Sequence, residues 1–175
     1  MYVLKPNKKG RGFRLLHKKQ QVFETTHLYD APPISSVTIE TDEIEIRHFK
    51  ETSEIFKNGK KIGAITYKKK NDILITLYRL DGAKDFFKLN AVVLSHYTLS
   101  TVNEKSLLKF QHMLSRVFFF NEFKVEVLSD LYPNEILEEL MFYAGEVLYK
   151  RVEDDKNTKV DDKIWQKYRQ VKLGL

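Results

Sequence analysis

Cysteine is absent from these 175 residues, which excludes disulfides, thiolate nucleophiles and cysteine-based zinc sites. Glycine and proline are scarce, at 7 and 4, so most of the chain is expected in regular elements. Residues 1–20 lack the apolar core of a signal peptide. No run approaches the ~18 uncharged apolar residues of a membrane span. A cytoplasmic protein that is not integral to a membrane is the expectation. There is no His-Glu-x-x-His, no Gly-x-Ser-x-Gly and no Walker phosphate loop. His17, His27, His48, His96 and His112 are scattered, with no pair at the i+2 or i+4 spacing that aims two ligands at a metal. The sequence therefore predicts no metal and no cofactor.

Acids are missing from the first twenty residues, which hold Lys5, Lys8, Lys9, Arg11, Arg14, Lys18 and Lys19. Residues 121–162 invert that balance, with twelve acids against five cations. The chain is polarised from front to back. A basic end attracts nucleic acid, anionic lipid or an acidic protein; alternatively, the two ends neutralise each other within the fold.

What is abundant is aromatic and β-branched. The hydrophobic fraction is 42% and the aromatic fraction 13%, which excludes a disordered chain. Val37 and Ile39, then Ile44 and Ile46, alternate with Thr38, Glu40, Glu43, Glu45 and Arg47. That period of two marks strands with one wet face. Asn58-Gly59 reads as a type I′ hairpin turn, because both residues accept positive φ. Tyr2–Lys5, Phe13–Leu16, Gln21–Thr26, Ile62–Tyr67, Ile73–Leu80, Phe86–Leu89, Val92–Leu99, Arg116–Phe120 and Phe123–Leu128 are further strand candidates. Pro32-Pro33 breaks the chain. The segment 103–114 reads equally as helix or strand. The front two thirds are expected to give six to eight short strands.

The helix signal is clearest after Pro133, a residue suited to a first helical position, with Glu135 in the first turn. Ile136, Leu137, Leu140, Met141, Ala144, Val147 and Leu148 share one face, and Phe142 and Tyr143 extend the apolar surface. Glu138, Glu139, Glu146 and Lys150 form a narrow polar strip. A helix apolar nearly all round is buried against several elements at once. Val152 should end it, followed by a charged linker and an amphipathic segment, Ile164–Val171, that docks back or meets a partner protein.

The fold expected is α+β and mainly β: an antiparallel barrel-like or strongly curved sheet packed around a buried, C-terminal hydrophobic helix. Residues 1–152 would form a single domain with the helix at 134–152, and 153–175 a charged linker and short helix. The hairpin Asn58-Gly59-Lys60-Lys61-Ile62-Gly63, the late strand Phe123–Leu128 and the apolar helix Ile136–Leu148 together resemble the tubby C-terminal-like fold, which includes the LURP-one-related proteins and phospholipid scramblases. The resemblance implies a barrel wrapped around a central helix, and binding of anionic lipid or another ligand.

Lys8, Lys9, Arg11, Arg14, Lys18 and Lys19 are the candidate binding residues. Amides of the turn at Gly10 and Gly12, with those cations, suit a phosphate group. A solvated hairpin loop is the plainer reading. The expected function is non-enzymatic binding of an anionic partner, a phospholipid surface or nucleic acid. Two enzyme readings stand beside it. Asn7–Gly12 is similar to the pyrophosphate loop of GNAT acetyltransferases, without the helices and strands that precede it there. Glu122-Phe123-Lys124 has the form found in PD-(D/E)xK nucleases, without a second acid placed to share a metal. A third reading is a protein-interaction module that uses 164–171.

Overall fold

A computed structural model of the chain describes residues 1–7, 12–28, 33–69, 72–93, 96–113 and 122–157. The strands are β1 (Tyr2–Pro6), β2 (Phe13–His17), β3 (Gln20–Glu24), β4 (Thr26–Leu28), β5 (Ile34–Ile39), β6 (Asp42–His48), β7 (Thr52–Lys57), β8 (Lys60–Lys69), β9 (Asp72–Tyr78), β10 (Lys84–Val93), β11 (His96–Thr101), β12 (Ser106–Met113) and β13 (Glu122–Val127), followed by helix α1 (Asn134–Asn157). They form one 13-stranded sheet of order β3-β2-β1-β13-β12-β11-β10-β9-β8-β7-β6-β5-β4. All the pairings are antiparallel.

That order forces the sheet to curl. β3 and β4 are its two edges, yet only Thr25 separates them in the chain. The edges must therefore come together, and the sheet becomes a nearly closed barrel. Thr25 is held at the junction by Phe13, whose N–H donates to Thr25 Oγ1 at 2.8 Å and whose carbonyl accepts from the Thr25 N–H at 2.8 Å.

Period-two alternation sends every second side chain inward. The register joins these residues into a belt: Val37 opposite Ile44, Ile46 opposite Ile55, Ile65 opposite Ile75, Leu89 opposite Leu99, Phe110 opposite Val125, and Leu4 opposite both Phe123 and Leu15. The lumen they line is filled by α1. Residues 140–149 are buried without interruption, so no side of the helix faces solvent along that stretch. Each large apolar side chain buried there contributes roughly 1.5–3 kcal/mol relative to exposure. Gly145 lets Phe13 lie directly against the helix: a Cβ there would stand 2.5 Å from Phe13 Cζ.

Several expectations change in detail. In the front two thirds twelve described strands, β1 to β12, replace six to eight, because N-terminal and mid-chain segments with weak alternation still pair within the wall. The ambiguous 103–114 stretch is β12 from Ser106 onward, its Leu108 and Phe110 completing the inner belt. Pro133 precedes the helix, and its carbonyl accepts the Leu137 N–H at 3.1 Å. The helix runs past Val152 to Asn157. The strip of Glu138, Glu139, Glu146 and Lys150 is no wet face: Glu139 and Glu146 are buried. The expected strand Arg116–Phe120 and the 164–171 segment lie outside the described residues. At Asn58-Gly59 the expected turn is present, with φ of 51° and 78°.

Candidate functional site

A helix-filled barrel has no lumen left for a ligand, so binding is confined to its ends and outer wall. Strand directions place the strand ends Pro6 and Phe13, Leu28 and Ile34, His48 and Thr52, Lys69 and Asp72, Val93 and His96, and Met113 and Glu122 at one end of the barrel, together with the C-terminal part of α1. The connections 18–19, 40–41, 58–59, 79–83, 102–105 and 128–133 lie at the other. Counted in the sequence and without the helix, the stretches that join the first set of strand ends hold six cations against two acids, and those that join the second set four against four. Most residues of the first stretches lie outside the described ones; the strands that lead into them do not.

At the cation-rich end a cleft of about 190 Å³ opens between β4, β5, β6 and the helix, lined by His27, Leu28, Pro33, Ile34, Ser35, His48, Glu146, Tyr149 and Lys150. Its floor is polar. Glu146 is 4% exposed, on an inward position of α1. Ser35 Oγ donates to Glu146 Oε2 at 2.7 Å, and His27 Nε2 lies 3.0 Å from Oε1. His48 Nε2 lies 2.8 Å from Ser35 Oγ and 3.6 Å from Glu146 Oε2, and His48 Nδ1 lies 3.2 Å from Ser53 Oγ. Ser53 Oγ is in turn 3.3 Å from the Tyr67 hydroxyl. Lys150 extends from the same end of the helix, its ammonium 5.0 Å from the centre of the Tyr67 ring.

Hydrogen-bond accounting fixes the protons. Ser35 has one hydroxyl proton, and it goes to Glu146. Toward His48 the oxygen can only accept, so His48 carries its proton on Nε2 and accepts at Nδ1 from Ser53. Burial holds the His48 imidazole below its ordinary range; Glu146 opposes that shift, while Lys150 and His27 reinforce it. This constellation is not an activated serine. A nucleophile needs its proton aimed at the histidine base, whereas Ser35 is 2% exposed and bonded to the carboxylate. Among the described residues no group of His, Asp or Glu is arranged to hold a metal ion.

A second polar cluster stands two helical turns toward the other end. Glu139 accepts from Lys57 at 2.7 Å and from the Tyr143 hydroxyl at 3.2 Å, and Lys57 also pairs with Asp42 at 2.7 Å. Burial works against the Lys57 charge, but hydrogen bonds to Asp42 and Glu139 outweigh it and raise its pKa. The two carboxylates, seven residues apart on one helix face, fix the rotation and depth of α1 in the barrel.

Of the predicted binding residues, the described ones, Arg14 and the pair Lys18 and Lys19, stand at opposite ends of β2. Lys8, Lys9 and Arg11 lie outside the described residues. Arg14 sits at the start of β2, at the cation-rich end, opposite Glu24 in register. Its Nε is buried without a hydrogen-bond partner. Lys18 and Lys19 form the β2–β3 turn at the opposite end of the barrel, both with positive φ, 49° and 71°. On the wall between them Lys5 pairs with Glu122 at 3.1 Å, which also binds the acid of the nuclease-like triplet. A slot of about 310 Å³ along the β3–β5 seam carries Glu24 and Glu43 and no cation, so it does not suit an anion.

Sequence spacing missed His27, Ser35, His48 and Glu146, because two strands, a turn-length strand and the helix bring them together over more than 100 residues. Two signals were present: an acid inside the apolar run Leu140–Tyr149, and a serine in an inward-facing register with Val37 and Ile39.

The class these features define is an antiparallel meander barrel closed around its own C-terminal helix, with a polar cleft where that helix leaves it. No family model, curated protein or solved structure matches the chain. No described helix is long and apolar enough to cross a membrane.

Proposed function

We propose that this is a non-enzymatic binding protein that docks the cation-rich end of its barrel on an anionic, phosphate-bearing partner. The observation that carries the reading is the charge asymmetry, in the sequence, of the stretches that join the strand ends, six cations against two acids for one end of the barrel and four against four for the other. Arg14 stands at the start of β2 at that end, Lys8, Lys9 and Arg11 precede it in the sequence between β1 and β2, and Lys150 lines the cleft. Lys18 and Lys19, at the far end, fall outside the surface.

A phospholipid headgroup layer fits better than nucleic acid. Leu28 lines the cleft at 48% exposure, and Phe49, next in the chain to the cleft residue His48, is 44% exposed; apolar side chains beside cations suit the headgroup boundary. The resemblance to tubby-like proteins points the same way, at the level of fold analogy. The test is co-sedimentation with phosphatidylcholine vesicles containing phosphatidylserine, against plain phosphatidylcholine and against single-stranded DNA. Binding to the anionic vesicles is expected at low salt, weakening as salt rises. Joint replacement of Lys8, Lys9, Arg11 and Arg14 by Ala should abolish it, while Lys18→Ala/Lys19→Ala should not. No binding to the anionic vesicles, or equal loss in both variants, refutes the reading. Preference for DNA transfers it to nucleic acid.

A further inference from the structure

We propose that the cleft is a proton-operated control on that docking end: proton uptake at His48 turns the cleft from charge-balanced to cationic and strengthens its hold on phosphate groups. The inference rests on the reading above and adds its regulation.

The geometry supplies the device. With His48 and His27 both neutral, the charges at the cleft are the Glu146 carboxylate and the Lys150 ammonium, which cancel; a proton on His27, 3.0 Å from Glu146, would add to the cationic side and to the barrier against a second proton on His48. The relay Tyr67, Ser53, His48, Ser35, Glu146 then has a single polarity: the Tyr67 hydroxyl donates to Ser53, Ser53 to His48 Nδ1, His48 Nε2–H to Ser35, and Ser35 to Glu146. The site for an added proton is His48 Nδ1. Once protonated it becomes a donor, so Ser53 must turn its hydroxyl toward Tyr67, and the outer half of the relay reverses. Tyr67 then accepts from Ser53 while keeping its own hydroxyl proton.

Among the described residues, the groups around His48 are His27 from β4, Ser35 from β5, Ser53 from β7, Tyr67 from β8 through Ser53, and Glu146 and Lys150 from α1. Burial, Lys150 and His27 delay proton uptake, and Glu146 limits the delay. Neutrality therefore holds at neutral pH, and the charge arrives only below the ordinary histidine range near pH ~6.5. Linkage makes the effect mutual. A phosphate on the cleft favours the proton as much as the proton favours the phosphate. One coupled proton changes affinity by at most about tenfold per pH unit.

The experiment measures affinity for the anionic vesicles from about pH 7.5 to about pH 5.5, the window in which histidine changes charge, for the full chain and for His48→Gln. Gln keeps an amide donor toward Ser35 but takes no proton. The ring Cε1–H resonance of His48 is followed by NMR without vesicles. The expected results are a several-fold rise in wild-type affinity with acid, a flatter profile in His48→Gln, and a His48 midpoint below that of free histidine. If the variant keeps the full acid rise, or the His48 resonance does not move while the protein stays folded, the control is refuted and the docking end stands. If neither protein binds at any pH, the docking end itself is refuted, whatever His48 does.

Discussion

Replacing Gly145 by alanine sets two known effects against each other at one atom. Alanine in a helix interior is worth about 1 kcal/mol over glycine, so on an open helix the change stabilises. Here the added Cβ would stand 2.5 Å from Cζ and 2.7 Å from Cε2 of Phe13. The Phe13 ring has nowhere to retreat: it is fully buried, stacked on Tyr149 at 4.8 Å with 4° between planes, and set edge-on to Phe23 at 6.2 Å. Overpacking of a filled core costs about 1–3 kcal/mol. The net expectation is a loss of about 1 kcal/mol, the difference of those two ranges, and a larger loss for Gly145→Val. Urea denaturation at constant slope reads it as a lowered midpoint. Phe13→Leu shortens the obstructing ring, so Gly145→Ala should be better tolerated in that background, giving a favourable coupling on the order of 1 kcal/mol. If Gly145→Ala alone raises the midpoint, the barrel has slack where the structure shows contact, and the tight enclosure argued for α1 is wrong.

Three other outcomes follow from the polar contacts. Lys57→Met strands Glu139, whose side chain is only 9% exposed, and should cost about 1–3 kcal/mol; adding Glu139→Gln should restore part of that in the same denaturation assay. Glu146→Leu leaves Ser35 and His27 without their acceptor and should destabilise by about 2 kcal/mol or more, more than the isosteric Glu146→Gln. At high pH, Tyr2 is informative. Burial and then its hydrogen bond to Glu138 push its pKa up from 10.0 to about 12. Its contribution to stability is whole below the unfolded value and is lost as pH rises toward the folded one. Tyr2→Phe should therefore flatten the alkaline decline measured by circular dichroism between those limits; an unchanged decline removes Tyr2 as its cause.

The sequence showed the barrel and its buried helix because both leave local periodic traces. Val37 to Ile46 alternates, Asn58-Gly59 marks its turn, and the stretch from Ile136 to Leu148 is too apolar to face water. It under-counted strands because β4 has only three residues and β12 begins with adjacent inward-packed leucines, Leu107 and Leu108, which break the alternation. The charge reading was partly local too: the basic N-terminal connection is visible in the chain, but whether Lys18 and Lys19 join it depends on strand direction. His27, Ser35, His48 and Glu146 had no mutual spacing to detect. Their proximity arises only when the sheet curls and the helix enters it.

The pairing of β1 with β13 has a consequence for how the chain is made. Tyr2 finds one neighbour nearby at His17 but the other only at Val125, so the first strand leaves the ribosome long before its second partner exists. The final staves and the helix that fills the cask arrive last. Until then, the inward faces of the early hairpins have nothing to cover them. Such long-range closure is slow and exposes apolar surface on the way. The core of this protein is delivered by α1, and synthesis must reach that helix before the wall has anything to close upon.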